Sequence, residues 1–248
     1  MTFSYNPNIY ISNLNKDAVQ AAMSHAKAEF PDEACGAIIK GKYLPFENTV
    51  EDKANAFEIS ADAWFVHYTA GDVDCLVHSH NDFNKASVLD QVQQKELDIP
   101  SLIINLRQKS VIDCIVFGCE EIAPLFGRPF FYGAFDCISL VNDFVRQEFD
   151  IVLPNPAHDW EFWLHGESPL EDFLAQDNNK TVYEIPVTEA RRGDILFYNM
   201  YGTRYYNHMA AVYEDNMTIL HHLDGHISGK YPINYARKYL RKVMRLVR

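Results

Sequence analysis

Between residues 135 and 149 the chain reads FDCISLVNDFVRQEF. Ile138, Val141, Val145 and Phe149 recur at helical spacing, and Leu140 and Phe144 widen the apolar stripe. The pattern predicts an amphipathic helix. Asp136 stands where an N-cap belongs, which puts Cys137 in the first turn. Upstream, Ala18, Ala21, Ala22, Ala26 and Phe30 share a face of a helix over 15–30 that Pro31 ends. Glu33–Ile39 reads as a short buried strand with an acidic start, and Gly41 and Pro45 punctuate the stretch after it. Phe57–Ile59 and Val73–Val77 are strand-like. Ser87–Leu97 reads as a helix stopped before Pro100, and Ser101–Leu106 and Val111–Phe117 as a pair of strands. In the second half, 155–180 is loop-rich with a short helix at Trp160–Leu164. Val182–Val187, Asp194–Tyr198, His208–Tyr213 and Met217–His221 are strand-like, and Glu214-Asp215-Asn216 separates the last two as a hairpin turn does.

The segment EEIAPLFGR over 120–128 carries Pro124 and Gly127 and reads as a linker. It divides an α/β domain at 1–120 from an α+β domain at 128–248. No internal repeat is visible. The net charge of −12 argues against a nucleic-acid binder and against docking on an anionic membrane through a basic patch. There is no apolar run of about 18 residues, so no membrane span is expected. The first residues lack the basic-then-apolar form of a signal peptide, so synthesis in a cytoplasm is expected, with exit inside a particle or by lysis. Five cysteines, an odd number with no CxxC pair, support neither a disulfide framework nor a cysteine-only zinc site.

A cysteine in the first turn of a helix meets unpaired N–H groups and the positive end of the helix dipole, both of which favour a thiolate. Such a nucleophile needs a base, and the base needs an orienter. His208 opens one strand-like run and His221 closes the next. Paired as a hairpin, the two strands carry both imidazoles on one sheet, with His208 as base, His221 as orienter and His222 on the other face.

These segments resemble the NlpC-type cysteine peptidases, papain-like enzymes that cut bacterial cell-wall peptides. Tyr132-Gly133-Ala134-Phe135-Asp136-Cys137 resembles the approach to the nucleophile helix, and Arg191-Arg192-Gly193-Asp194-Ile195-Leu196-Phe197 the Gly-Asp strand. Asn207-His208-Met209-Ala210-Ala211-Val212-Tyr213 resembles the histidine strand, and Ile219-Leu220-His221-His222 the strand with the third polar residue. The resemblance implies Cys137 as nucleophile, His208 as base, His221 or His222 as third member, and Tyr132 as a residue that polarises the scissile carbonyl. Here the histidine strand holds one residue more than usual before its tyrosine, and Ile138-Ser139 replaces the usual Ser-Gly.

In the first half, Val77-His78-Ser79-His80 puts two imidazoles on one side of a strand. With Asp90 they supply three protein ligands for zinc and leave a fourth position for water. Glu33 is placed to take a proton from that water, and Ser87 to bond a developing oxyanion. Ser87-Val88-Leu89-Asp90 is also a helix-start pattern. Together the five residues resemble the JAMM (MPN-type) metallopeptidases over about residues 10–118, with six residues, Asn81–Ala86, where the family usually has seven, and Asn81 in place of its proline.

A JAMM-like domain followed by an NlpC-like domain resembles a family of tail-tip assembly proteins of lambda-like bacteriophages. That order implies other tail-tip proteins as partners, murein stem peptides as substrate, assembly in the host cytoplasm and action in the periplasm on entry. The competing expectation is a structural assembly factor whose peptidase sites act on tail proteins or not at all.

Overall fold

The computed structural model describes residues 14–81, 85–178, 180–215 and 217–247. The chain divides into two compact units, Met1–Glu120 and Glu121–Arg248. Among the described residues no helix is long and apolar enough to cross a membrane.

In the first unit, α1 (Lys16–Glu29) starts where the Asn15 side chain accepts the N–H groups of Asp17 and Ala18, at 2.9 and 3.2 Å. It lays Ala18, Val19, Ala22 and Ala26 on a core with Ile38, Val77, Leu102, Ile104 and Val116. Small residues there let the helix approach closely. The sheet comprises β1 (Cys35–Ile39), β2 (Lys42–Phe46), β3 (Val73–Asn81), β4 (Ser101–Arg107) and β5 (Ser110–Phe117), in the order β2-β1-β3-β4-β5. Gly41 does not merely break the chain: Lys40 and Gly41 both take positive φ, 49° and 74°, and turn β1 into β2. Pro45 is tolerated because β2 is an edge strand. Phe57–Ile59 is not a strand. The Asn48 side chain satisfies that loop, donating to Glu33 O and Ala56 O and accepting from Val50 N and Glu58 N. Helix α2 (Ala61–Thr69) has no buried residue, so no apolar stripe announced it. Helix α3 (Val88–Leu97) links β3 to the parallel strand β4, and this crossover returns its first turn to the end of β3.

The second unit is α+β. Helix α4 (Cys137–Phe149) packs on a six-stranded antiparallel sheet ordered β10-β9-β8-β7-β11-β6. Its strands are β6 (Val182–Ile185), β7 (Ile195–Tyr198), β8 (His208–Glu214), β9 (Thr218–His221), β10 (Gly229–Pro232) and β11 (Leu240–Leu246). Asn216, part of the expected hairpin turn, lies outside the described residues. Helix α5 (Pro169–Asp177) occupies the stretch expected to be loop, opened by a Ser168 cap with proline in the first turn. The short helix expected at Trp160–Leu164 is a single 3-10 turn at Phe162–Leu164. The Arg128 side chain is fully buried; it donates to Pro124 O and to Asp143 at 2.6 Å each, and to Ala123 O. From Ala123 onward, the segment expected as linker is thus tied to the second unit.

Candidate active site and metal centre

The tight turn before α4 fixes the nucleophile's position. Phe131 and Phe135 exchange backbone hydrogen bonds of 2.8 and 2.7 Å around Gly133, whose φ of 76° suits a residue without Cβ. Asp136 then caps the helix: Oδ1 accepts from Ile138 N at 2.9 Å and Ser139 N at 3.0 Å, while Ser139 Oγ accepts from Asp136 N. Oδ2 accepts from Gly133 N at 3.0 Å and pairs with His158 Nε2 at 2.9 Å. Burial alone raises this acid, but the His158 charge and hydrogen bond and the N–H groups of Ser139 and Gly133 outweigh it and hold it near about 2.

Cys137 is the first residue of α4 and is buried. Burial and a neighbouring carboxylate oppose the expected thiolate. Burial first, and the Asp136 carboxylate second, push the thiol up; N–H groups of Met209, Cys137 and Ile138 favour the thiolate without prevailing. The carboxylate that builds the cap opposes ionisation of its neighbour. Tyr132 stays protonated, raised by burial and then by Cys137 and Asp136. Its ring packs on Trp160 and His158, with centroids 5.0 and 5.5 Å away.

The structure brings His208 and His221 together, ring centroids 4.5 Å apart. They do not meet on the side of the sheet that α4 covers. Phe197, Met209, Ala211 and Leu220 form one core with Cys137, Ile138 and Val141. Leu196, Tyr198, Ala210, Val212 and Ile219 form another on the opposite face. The His208 ring turns to Tyr198, and that of His221 to Tyr231 and Tyr235. His208 Nε2 has no hydrogen-bond partner. His222, expected to face away from the nucleophile, instead lies 5.0 Å from the Phe130 ring and feels the Asp136 carboxylate. Burial keeps all three imidazoles neutral: His208 falls well below its ordinary value, His221 to about 3 and His222 to about 4.

In the first unit, His78 and His80 point from β3 at Asp90 in the first turn of α3. Their Nε2 atoms lie 3.0 Å apart, and they stand 3.1 and 3.4 Å from the two Asp90 carboxylate oxygens. Zinc with bonds of about 2.0–2.1 Å in a tetrahedron needs donor-to-donor edges of about 3.3 Å, so the three groups fit that ion. Two imidazole N–H groups facing each other this closely repel, whereas three lone pairs aimed at one cation do not. Asp90 is held well down: the two imidazoles overcome its burial, and burial in turn drives His78 towards neutrality. Phe57 stacks on His78 at 4.6 Å. Nδ1 of His78 is buried without a partner.

Ala34 N donates to Ser79 Oγ and Ser79 N to Ala34 O, extending the Cys35↔His78 register so that Glu33 stands across from His80. Burial raises Glu33 to about 7 against the opposing pull of His80, which suits proton exchange near neutrality. Ser87 caps α3: Oγ accepts from Asp90 N at 3.1 Å and its N–H bonds Asp90 Oδ2 at 2.7 Å, leaving its hydroxyl hydrogen outside the cap. Residues 82–84 of the six-residue spacer lie outside the described residues.

Sequence reasoning missed His158, which sits in an irregular segment 22 residues from its partner and carries no periodic signal.

Residues 127–246 match the NlpC/P60 family, which supports a cysteine peptidase or hydrolase kind of enzyme for this unit. The whole chain is 30% identical over 244 residues to tail tip assembly protein K of Escherichia phage N15, covering 95% of each. The chain belongs to the family of that tail assembly protein. A lipoprotein-like NLP/P60 protein from Staphylococcus aureus is similar at 25% identity with a TM-score of 0.35, over 50% of this chain and 38% of that one.

Proposed function

We propose that this protein is a phage tail-tip assembly factor that hydrolyses peptide bonds in murein stem peptides. Cys137 is the nucleophile and an imidazole of the β8–β9 hairpin is the base. The observation that carries the reading is Cys137 at the capped start of α4, with backbone N–H groups around its sulfur and neutral imidazoles in the adjoining strands. Neutral imidazole is the form able to accept the thiol proton. Tyr132, protonated and close enough to Cys137 to feel its charge, polarises the scissile carbonyl in this reading. Other tail-tip proteins are its partners, in the host cytoplasm during assembly and at the virion tail tip afterwards. Action on murein comes later, in the periplasm on entry.

His78, His80 and Asp90 hold zinc in this reading, with Glu33 as proton acceptor and Ser87 as hydroxyl donor. Bound there, the ion supplies Lewis acidity for hydrolysis of a peptide or isopeptide bond.

The second reading is an assembly factor that acts only on tail proteins or not at all. The raised Cys137 thiol and the His208 ring turned to Tyr198 favour it. Mass spectrometry of murein fragments released by wild type and by Cys137→Ala decides between them. Fragments cut within stem peptides by wild type alone support the peptidase. Identical profiles support the assembly factor.

A further inference from the structure

We infer that His222, rather than His208, receives the Cys137 proton. This rests on the cysteine-peptidase reading above and concerns which imidazole serves it.

Sheet parity is the first observation. Met209, Ala211 and Leu220 share a core with Cys137, and the ring of Tyr213 packs on the same core. His222 comes two positions after Leu220 and so continues on that face. His208 and His221 belong to the alternate positions, and their ring contacts lie with Tyr198, Tyr231 and Tyr235. The residue count explains the exchange. Tyr213 fixes the face at one end of β8, and one additional residue before it puts Met209 where a histidine stands in the shorter pattern.

Register is the second. Ala211 pairs with Leu220, and continuing that ladder sets Met209 across from His222. The N–H of Met209 is one of three backbone donors that favour the Cys137 thiolate. Just past the end of β9, the His222 ring meets Phe130 and the backbone of Asp136, the residue before Cys137.

The third observation is placement. His222 is 0% exposed, and its ring meets the backbone of Arg128 and of Asp136, the residue that precedes Cys137. Burial keeps the ring neutral and able to accept a proton; the Asp136 carboxylate and the two backbone contacts favour the imidazolium in part, and the Arg128 charge opposes it.

The chemistry balances. The Cys137 S–H bond breaks as a His222 N–H forms. Sulfur then bonds the carbonyl carbon, the C–N bond breaks, and the departing amine takes the proton from His222. Water next gives a proton to His222 as its oxygen bonds the thioester carbon. The S–C bond breaks, and His222 returns the proton to sulfur.

The test uses the full chain on purified murein, reading initial rates of peptide release against pH. His222→Gln is expected to lose roughly 10²–10⁴-fold, together with the acidic limb of the profile. His208→Gln is expected to lose less and keep that limb. The reverse pattern, with Cys137→Ala inactive, overturns the inference and leaves the peptidase reading standing. Full digestion by Cys137→Ala overturns the peptidase reading itself. Should His222→Gln unfold, wild type labelled with 15N-histidine decides: alkylation of Cys137 must shift the His222 ring signals most, and a dominant shift at His208 overturns the inference.

Discussion

His158 holds its Nε2 2.9 Å from Oδ2 of Asp136, and both side chains are almost fully buried. The pair clamps an irregular segment onto the cap of the nucleophile helix. Removing one member strands the other in low dielectric, which costs about 3–5 kcal/mol in comparable pairs. His158→Ala is therefore expected to lower the unfolding free energy of the second unit by that order. It also removes a group holding Asp136 at about 2. A carboxyl lowered in the fold contributes stability above its unfolded value and loses it as pH falls through the folded one. In His158→Ala the folded value rises towards the unfolded one, so this contribution is smaller and less of it is lost on acidification. Urea unfolding of wild type and variant at several acidic pH values measures both, and equal acid sensitivity sinks the clamp.

The metal prediction is stoichiometric. Chain purified without chelator is expected to carry close to one zinc, and His78→Ala and Asp90→Ala to lose it, because each removes one of three converging donors. Thermal unfolding is expected to rise on adding zinc to stripped wild type and not to either variant. Elemental analysis finding no metal in wild type, with no thermal response, would falsify the site.

The sequence makes an element legible where its signal is local. Helix α4 was readable because Ile138, Val141 and Val145 are buried at helical spacing behind an aspartate cap. Helix α2 was not, since Phe65 and Val66 are 65% and 66% exposed and no stripe marks a buried face. Strand β3 continues past Val77 because His78, Ser79 and His80 are buried polar residues that end the apolar run without ending the strand. Strand β11, with Arg241, Lys242 and Arg245 among its residues, hides its pairing with β7 and β6 behind charge. The opposed faces of His221 and His222 were readable from alternation alone. Which face meets Cys137 depends on packing at Tyr213 and on the register of β8 against β9, and neither is local.

Arg128 and Leu125 give a prediction about fragments. Leu125 is buried in the second unit's core, and Ser228 Oγ donates to its carbonyl. Arg128 grips Ala123 and Pro124 carbonyls while pairing with Asp143. A fragment of residues 121–248 keeps all of these contacts, and one of 128–248 keeps only the Arg128–Asp143 pair. Burial of one leucine is worth about 1.5–3 kcal/mol, so the longer fragment is expected to melt several degrees higher. Equal melting temperatures would show that the segment before Arg128 contributes nothing to the fold.

The buried histidines set the acid response of the second unit. His208, His221 and His222 are all lowered by burial, the last two to about 3 and about 4. Unfolded histidine titrates near about 6.5, so below that pH the unfolded chain binds protons the folded chain refuses. Their contribution is full above about pH 6.5 and is lost as pH falls towards the folded values. Three such groups set an upper slope of about 4 kcal/mol per pH unit. Asp143, raised by burial, opposes this only in the carboxylate range, so it does not mask the effect near neutrality. Urea midpoints are expected to fall steeply between about pH 6.5 and about pH 4.5, and to fall less in His221→Phe, which removes one titrating group. A midpoint unchanged across that window would mean the three imidazoles already reach solvent protons in the folded chain, contrary to their burial.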